Sequence, residues 1–222
     1  PQFWNLTVFD PFGTNGVGTT QTLNSGLGGP TAVRASNAIG YFLPGNLGGF
    51  YGQAQYYMGE NLSNAANKKD GNGLALRVGF ANGPINVALA VSETKFLSGD
   101  IQSINVGGQY DLGVAKIMAH YSQDEVDGGA DGKGFLVGGL IPMGAGEIRV
   151  AYSTYEVNTA GPDPRSNKIA LGYVHNLSKR TALYTTVARV GNKNGAASAL
   201  NGAVTAAGRN STGYDIGIRH SF

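Results

Sequence analysis

From Arg34 to the end of the chain, apolar and polar residues alternate with a period of two, and helical spacing is nearly absent. In the final segment Tyr214, Ile216, Ile218, His220 and Phe222 share one face, while Asp215, Gly217, Arg219 and Ser221 share the other. Leu74, Leu76, Val78 and Phe80 alternate against Ala75, Arg77 and Gly79, and Ile85, Val87, Leu89 and Val91 against Asn86, Ala88 and Ala90. Such runs are strands with one apolar and one polar face. The pattern predicts about eleven of them, over 34–43, 49–60, 73–82, 85–96, 102–111, 114–125, 133–141, 147–157, 167–176, 181–190 and 213–222. Each is near the roughly ten residues that a tilted membrane-crossing strand needs.

The connections separate two architectures that alternation leaves open. Short turns at Pro44-Gly45-Asn46, Asn82-Gly83-Pro84, Asp111-Leu112-Gly113, Pro142-Met143-Gly144 and Asn176-Leu177-Ser178-Lys179 alternate with long polar segments near 61–72, 97–101, 126–132, 158–166 and 191–212. A soluble sandwich or jelly roll has no reason to sort its loops in this way. A transmembrane antiparallel β-barrel does, with short periplasmic turns at one rim and long extracellular loops at the other. The fold class is therefore all-β, with the apolar strand face toward lipid and the small or polar face toward water.

Composition removes the competitors. No apolar run approaches the roughly 18 residues of a spanning helix. The absence of cysteine excludes a disulfide scaffold, a thiolate metal site and a cysteine nucleophile. A net charge of +2 is too mild to indicate nucleic acid. The chain opens at Pro1 without a basic stretch leading into an apolar one, as expected of a processed or truncated form.

The terminal Gly213-Tyr-Asp-Ile-Gly-Ile-Arg-His-Ser-Phe222 resembles the last strand of bacterial outer-membrane barrels. The segments 34–41 and 47–57, Asp70-Gly-Asn-Gly73, 105–113 and 177–184 are similar to Gram-negative general porins of the β-proteobacterial type. The resemblance implies that Tyr214, Ile216, Ile218 and Phe222 form the membrane-insertion signal. It implies a homotrimer in the outer membrane, in contact with lipid and lipopolysaccharide, and passing small anions and hydrophilic solutes by passive diffusion, without turnover or cofactor. Such porins have about sixteen strands, at roughly twenty residues per strand and loop. By that count residues 1–33 correspond to the third extracellular loop, which narrows the pore, and 34–222 to barrel strands. Five N-terminal strands would then be absent, and this chain would be part of a larger protein. An alternative is that 2–9 supplies a twelfth strand and closes a smaller barrel.

If the apolar parity faces lipid, Arg34, Arg77, Lys116, Arg149, Lys168 and Arg219 face the lumen, against Glu147 and Asp215. Basic charge in a narrow, low-dielectric passage concentrates anions, so a weak anion preference is expected. By resemblance Arg34 matches a basic ladder position, and Asp10, the one acid in 1–33, is its available loop partner. Aromatic residues near strand ends, among them Tyr41, Phe42, Phe50, Tyr51, Tyr57, Tyr110, Tyr155 and Tyr184, suit the girdles of the headgroup level.

Two other chemistries are suggested by local patterns in the sequence. His120 and Ser122 lie two apart on one strand face, so an outer-membrane barrel hydrolase (phospholipase-like) is an alternative. The shared parity with Lys116 points instead to a solvated lumen histidine. Carboxylates gather in 124–132 beside glycines, which suits calcium ligands, but the spacing is not that of an EF-hand and a solvated turn is expected.

Overall fold

The computed structural model describes residues 1–13, 16–20, 35–200 and 203–222, and of Gln2 only the backbone. Among these residues eleven strands form one antiparallel sheet: β1 (Ala38–Phe42), β2 (Phe50–Tyr57), β3 (Gly73–Asn82), β4 (Ile85–Thr94), β5 (Ile101–Asp111), β6 (Lys116–Val126), β7 (Asp131–Met143), β8 (Gly146–Val157), β9 (Arg165–Asn176), β10 (Thr181–Lys193) and β11 (Ser211–His220). Each pairs only with its neighbours in sequence, so the eleven predicted strands are present in the predicted order. β1 and β11 are the two edges and the sheet does not close on itself. Phe222 lies beyond the end of β11 and is fully exposed, so the last aromatic of the alternating pattern sits outside the strand.

The predicted sidedness holds along the wall. Outward positions carry exposed apolar side chains, among them Leu76, Val78, Leu89, Val106, Ile117, Val137 and Leu171. Inward positions carry small or polar groups, among them Ala75, Ala88, Ala90, Asn105, Ser122, Ser153 and Ala170, all buried. Tyr51, Tyr57, Tyr155 and Tyr184 correct the girdle expectation. Tyr57 and Tyr155 are buried, the Tyr51 hydroxyl donates to Asn86 Oδ1 at 2.6 Å, and Tyr184 lines an inner cleft. Tyr51 shares parity with Gln53 and Gln55, which marks the inner face.

Residues 2–9 do not form a twelfth strand. Gln2–Val8 is a helix, α1, packed against β3, β4 and β5. Asn5, Leu6 and Phe9 are buried at positions i, i+1 and i+4, one face of a helical turn. The segment then crosses the inner face, and glycines on the wall make room for it. A Cβ at Gly107 of β5 would lie 2.2 Å from the Phe9 ring, one at Gly138 of β7 2.8 Å from Pro11, and one at Gly172 of β9 2.9 Å from Phe12. Phe12, Leu136, Ala151, Ala170, Ala188, Val190 and Leu200 form the apolar core, with Val17 against it. The core thus lies between the wall and the segment laid across it.

Candidate functional site

The inner face of the wall and the N-terminal segment build the site together. Arg77 of β3 is buried; its Nε donates to Asn5 Oδ1 at 2.9 Å, its Nη2 lies 3.4 Å from the Tyr51 hydroxyl, and its guanidinium sits 4.9 Å from the Tyr51 ring centroid. Asn5 Nδ2 donates in turn to Asn105 Oδ1 at 2.8 Å and to the Ala88 carbonyl at 3.2 Å. Among the described residues the Arg77 side chain is therefore bonded through neutral partners, and no carboxylate among them is bonded to it.

Farther along, the segment meets three charged side chains. Arg149 of β8 donates through Nη1 to the Pro11 carbonyl at 3.0 Å and through Nε to Glu147 at 2.9 Å, an ion pair two residues apart on the same strand face. Lys168 of β9 is buried and donates to the Thr19 carbonyl. Asp10 accepts the backbone N–H of Phe12 at 2.8 Å and of Thr20 at 2.9 Å. Burial pushes its carboxyl up to about 7, against these two donors and the nearby charges of Lys168 and Arg149. Asp215 of β11 accepts the Val17 N–H at 2.9 Å, and its second oxygen is buried without a partner. Between the segment and β8–β11 opens a cleft of about 880 Å³, lined by Trp4, Asp10, Arg149, Tyr184, Asp215 and Arg219 among others.

Five of the basic residues read from parity thus lie on the inner side, though not all together. Arg149 and Lys168 converge on Asp10, Arg219 joins Arg149 across the cleft, and Arg77 belongs to the separate Asn5 network. Lys116 stands at the short-turn rim, 3.9 Å from Asp111. Arg34 lies outside the described residues, so the described partners of Asp10 are groups of its own segment and of β8 and β9. Tyr214, Ile216 and Ile218 project outward and are strongly exposed. The network residues Asn5, Asn105 and Tyr51 escape sequence reasoning; the inward parity of Asn105 and Tyr51 was legible, their meeting with Asn5 was not.

His120 is inward, as parity requires, but it is buried rather than solvated. It stands opposite Gly107, the glycine that Phe9 covers, and neither ring nitrogen has a hydrogen-bond partner. His120 and Ser122 therefore lack the base–nucleophile contact that a hydrolase needs. In the acidic stretch, Asp124 accepts Ser103 Oγ at 2.6 Å and the Tyr155 hydroxyl at 2.8 Å, and Asp131 accepts Asn158 Nδ2. No group of three metal-ligating side chains occurs among the described residues.

A profile of Gram-negative porins matches residues 2–195. Outer membrane porin protein 32 of Delftia acidovorans is 32% identical over 241 residues, covering 100% of this chain and 68% of that protein. The anion-selective porin from Comamonas acidovorans superposes with a TM-score of 0.89 at 32% identity, over 100% of this chain and 71% of that one. OmpT of Vibrio cholerae in a trimer form shares the fold, with a TM-score of 0.62 at 17% identity over 82% of this chain and 64% of that one. The chain spans about two thirds of the length of each.

Proposed function

Because this chain belongs to the Gram-negative porin family of the outer membrane, we propose that it forms most of the wall of a water-filled channel for passive diffusion of small hydrophilic solutes, with a preference for anions. A water column needs a closed wall, so the free edges of β1 and β11 are joined in the complete barrel through further strands. Residues 1–33 act as the constriction segment, of which the described part lies across the inner face. Arg34, Arg77, Lys116, Arg149, Lys168 and Arg219 line or flank the passage, and Asp10 is the acid that tempers them. The outward face meets outer-membrane lipid and lipopolysaccharide, the barrel assembles as a homotrimer, and Tyr214, Ile216, Ile218 and Phe222 serve as its insertion signal. The channel turns nothing over and uses no cofactor.

The observation that carries the anion preference is Arg77. Its positive charge is held at the inner wall by Asn5 and Tyr51, both neutral, so its field acts on the passage undiminished by a bonded acid. The porin from Comamonas acidovorans, anion-selective by name, supports the same preference. In a planar bilayer with a salt gradient, the reversal potential takes the sign of an anion-preferring pore, and Arg77→Gln moves it toward zero. A clear cation preference of the parent protein overturns the proposal.

A further inference from the structure

The long loops along one rim are tied to one another in order. In the β2–β3 loop, Asp70 Oδ1 accepts the N–H of Leu97 from the β4–β5 loop at 2.8 Å. At the end of that second loop the Asp100 carbonyl accepts the N–H of Asp127, in the β6–β7 loop, at 2.9 Å. Asp131, at the foot of β7, accepts Asn158 Nδ2 through its carboxylate and the Asn158 N–H through its carbonyl, where the β8–β9 loop begins. The Asp163 carbonyl of that loop accepts Asn194 Nδ2 from the β10–β11 loop at 2.9 Å. Each of these neighbouring pairs is joined, and every tie is accepted by an aspartate, at 70, 100, 131 and 163, one per hairpin. The second tie needs a glycine: Gly99 has φ +126°, and a Cβ there would fall 2.3 Å from the Asp127 carbonyl oxygen. The opposite rim is built differently. Among the described residues no side chain bonds one short turn to another, and Ser178 Oγ accepts only the N–H groups of Arg180 and Thr181 in its own turn.

We propose that this series of ties is a belt that holds the channel mouth open, with Asp70, Asp131 and Asn194 as its positioning residues. A long surface loop is ordinarily the most mobile part of a fold, and one standing at a pore mouth can swing over it. Here a loop leaves the rim only by breaking its bonds to the loops beside it, so closure requires neighbours to move together. The Asp100–Asp127 bond and the Asn158 backbone bond each carry a strand ladder one pair further. The side-chain bonds of Asp70, Asp131 and Asn194 instead join loops of different hairpins, where strand pairing alone supplies no further bond. A belt on the long-loop rim alone matches the need, since the short turns are too short to reach across an opening. The inference deepens the channel reading above and rests on it, naming what governs the open state.

The test is single-channel recording of the full-length protein in planar bilayers at stepped voltages, with thermal unfolding of the same preparations. At a fixed high voltage Asp70→Ala and Asn194→Ala each raise the closed fraction about fivefold over the parent, the equilibrium worth of one hydrogen bond, and the pair about twenty-five-fold. Asp70→Asn keeps an acceptor oxygen and drops the charge; it closes as rarely as the parent, which assigns the effect to the bond. Ser178→Ala, confined to one short turn, leaves closure unchanged. The thermal midpoint stays at the parent value in all of these variants, as it would not if the wall itself were weakened. If Asp70→Ala does not insert, Asn194→Ala is read by the same criterion. Equal closed fractions in the parent and the alanine variants, or an Asp70→Asn variant that closes as readily as Asp70→Ala, overturns the inference. A parent that conducts at no voltage sinks the channel and the belt's role with it, whereas open channels with unaltered closure sink the belt alone.

Discussion

The Phe9 ring lies against the wall where Gly107 presents no side chain, so close that a Cβ there would fall 2.2 Å from it. Phe9 is fully buried, and Gly107 stands opposite His120 in the β5–β6 register. Gly107→Ala therefore forces the ring out of its seat. Overpacking of this kind costs about 1–3 kcal/mol. A lowered thermal midpoint and a noisier, larger single-channel conductance are expected, both from a loosened N-terminal segment. Gly45→Ala, at a position with open space around it, serves as the control and leaves both unchanged.

Asn5 occupies a place that a carbon side chain of similar size cannot fill. Its oxygen accepts from Arg77 and its nitrogen donates to Asn105 and to the Ala88 carbonyl. Asn5→Leu strands these groups in a buried site, at a cost of about 1–3 kcal/mol for a polar group left unpaired. Denaturant unfolding registers the loss. Asn5→Asp is expected to act differently, placing a carboxylate against Arg77 and reducing the anion preference in reversal-potential measurements.

His120 gives the opposite expectation. Both ring nitrogens are buried without a partner, so the imidazole contributes a desolvation penalty and no compensating bond. His120→Leu, apolar and of comparable bulk, keeps or raises the unfolding free energy, by about 1–2 kcal/mol at most, read as an unchanged or higher thermal midpoint. A marked fall would mean that the ring is bonded after all.

Asp10 sets a pH dependence. Its carboxyl is raised from 3.8 to about 7 by burial, so the protonated form is favoured when the segment is docked. The stability it contributes is complete below its ordinary value near 4 and is lost as pH rises through about 7. Two readouts follow: protease cleavage of the N-terminal segment increases between about pH 4 and 7 and levels off above, and anion preference declines as pH rises through about 7, where the carboxylate charges beside Lys168 and Arg149. Asp10→Asn flattens both profiles.

The wall was legible in the sequence because one rule governs it. A period of two with sorted loops yields strand number, order and sidedness, and the inward positions of Arg77, Lys168 and Arg219 follow from parity alone. The N-terminal segment obeys no such rule. Its adjacent Phe3-Trp4 and Val8-Phe9 pairs obscure a short helical face of Asn5, Leu6 and Phe9, and Phe9, Pro11 and Phe12 are seated by Gly107, Gly138 and Gly172, glycines on strands far along the chain. The Arg77–Asn5–Asn105 network is hidden for the same reason, since it exists only where segment and wall meet. For Tyr51, Tyr57, Tyr155 and Tyr184 strand parity is a better guide to position than the general preference of aromatics for strand ends.

Every strand of the sheet bonds only to the strands before and after it in the chain. The hairpin is accordingly the unit of growth. Excising or duplicating two consecutive strands leaves the register of all the others untouched, and leaves each side chain facing the same medium as before. Removal of a single strand reverses the direction of everything that follows and sends long loops to the wrong compartment. The circumference of such a wall can be revised over evolutionary time only in even steps, while the segment that lies across its inner face can change residue by residue without touching that register.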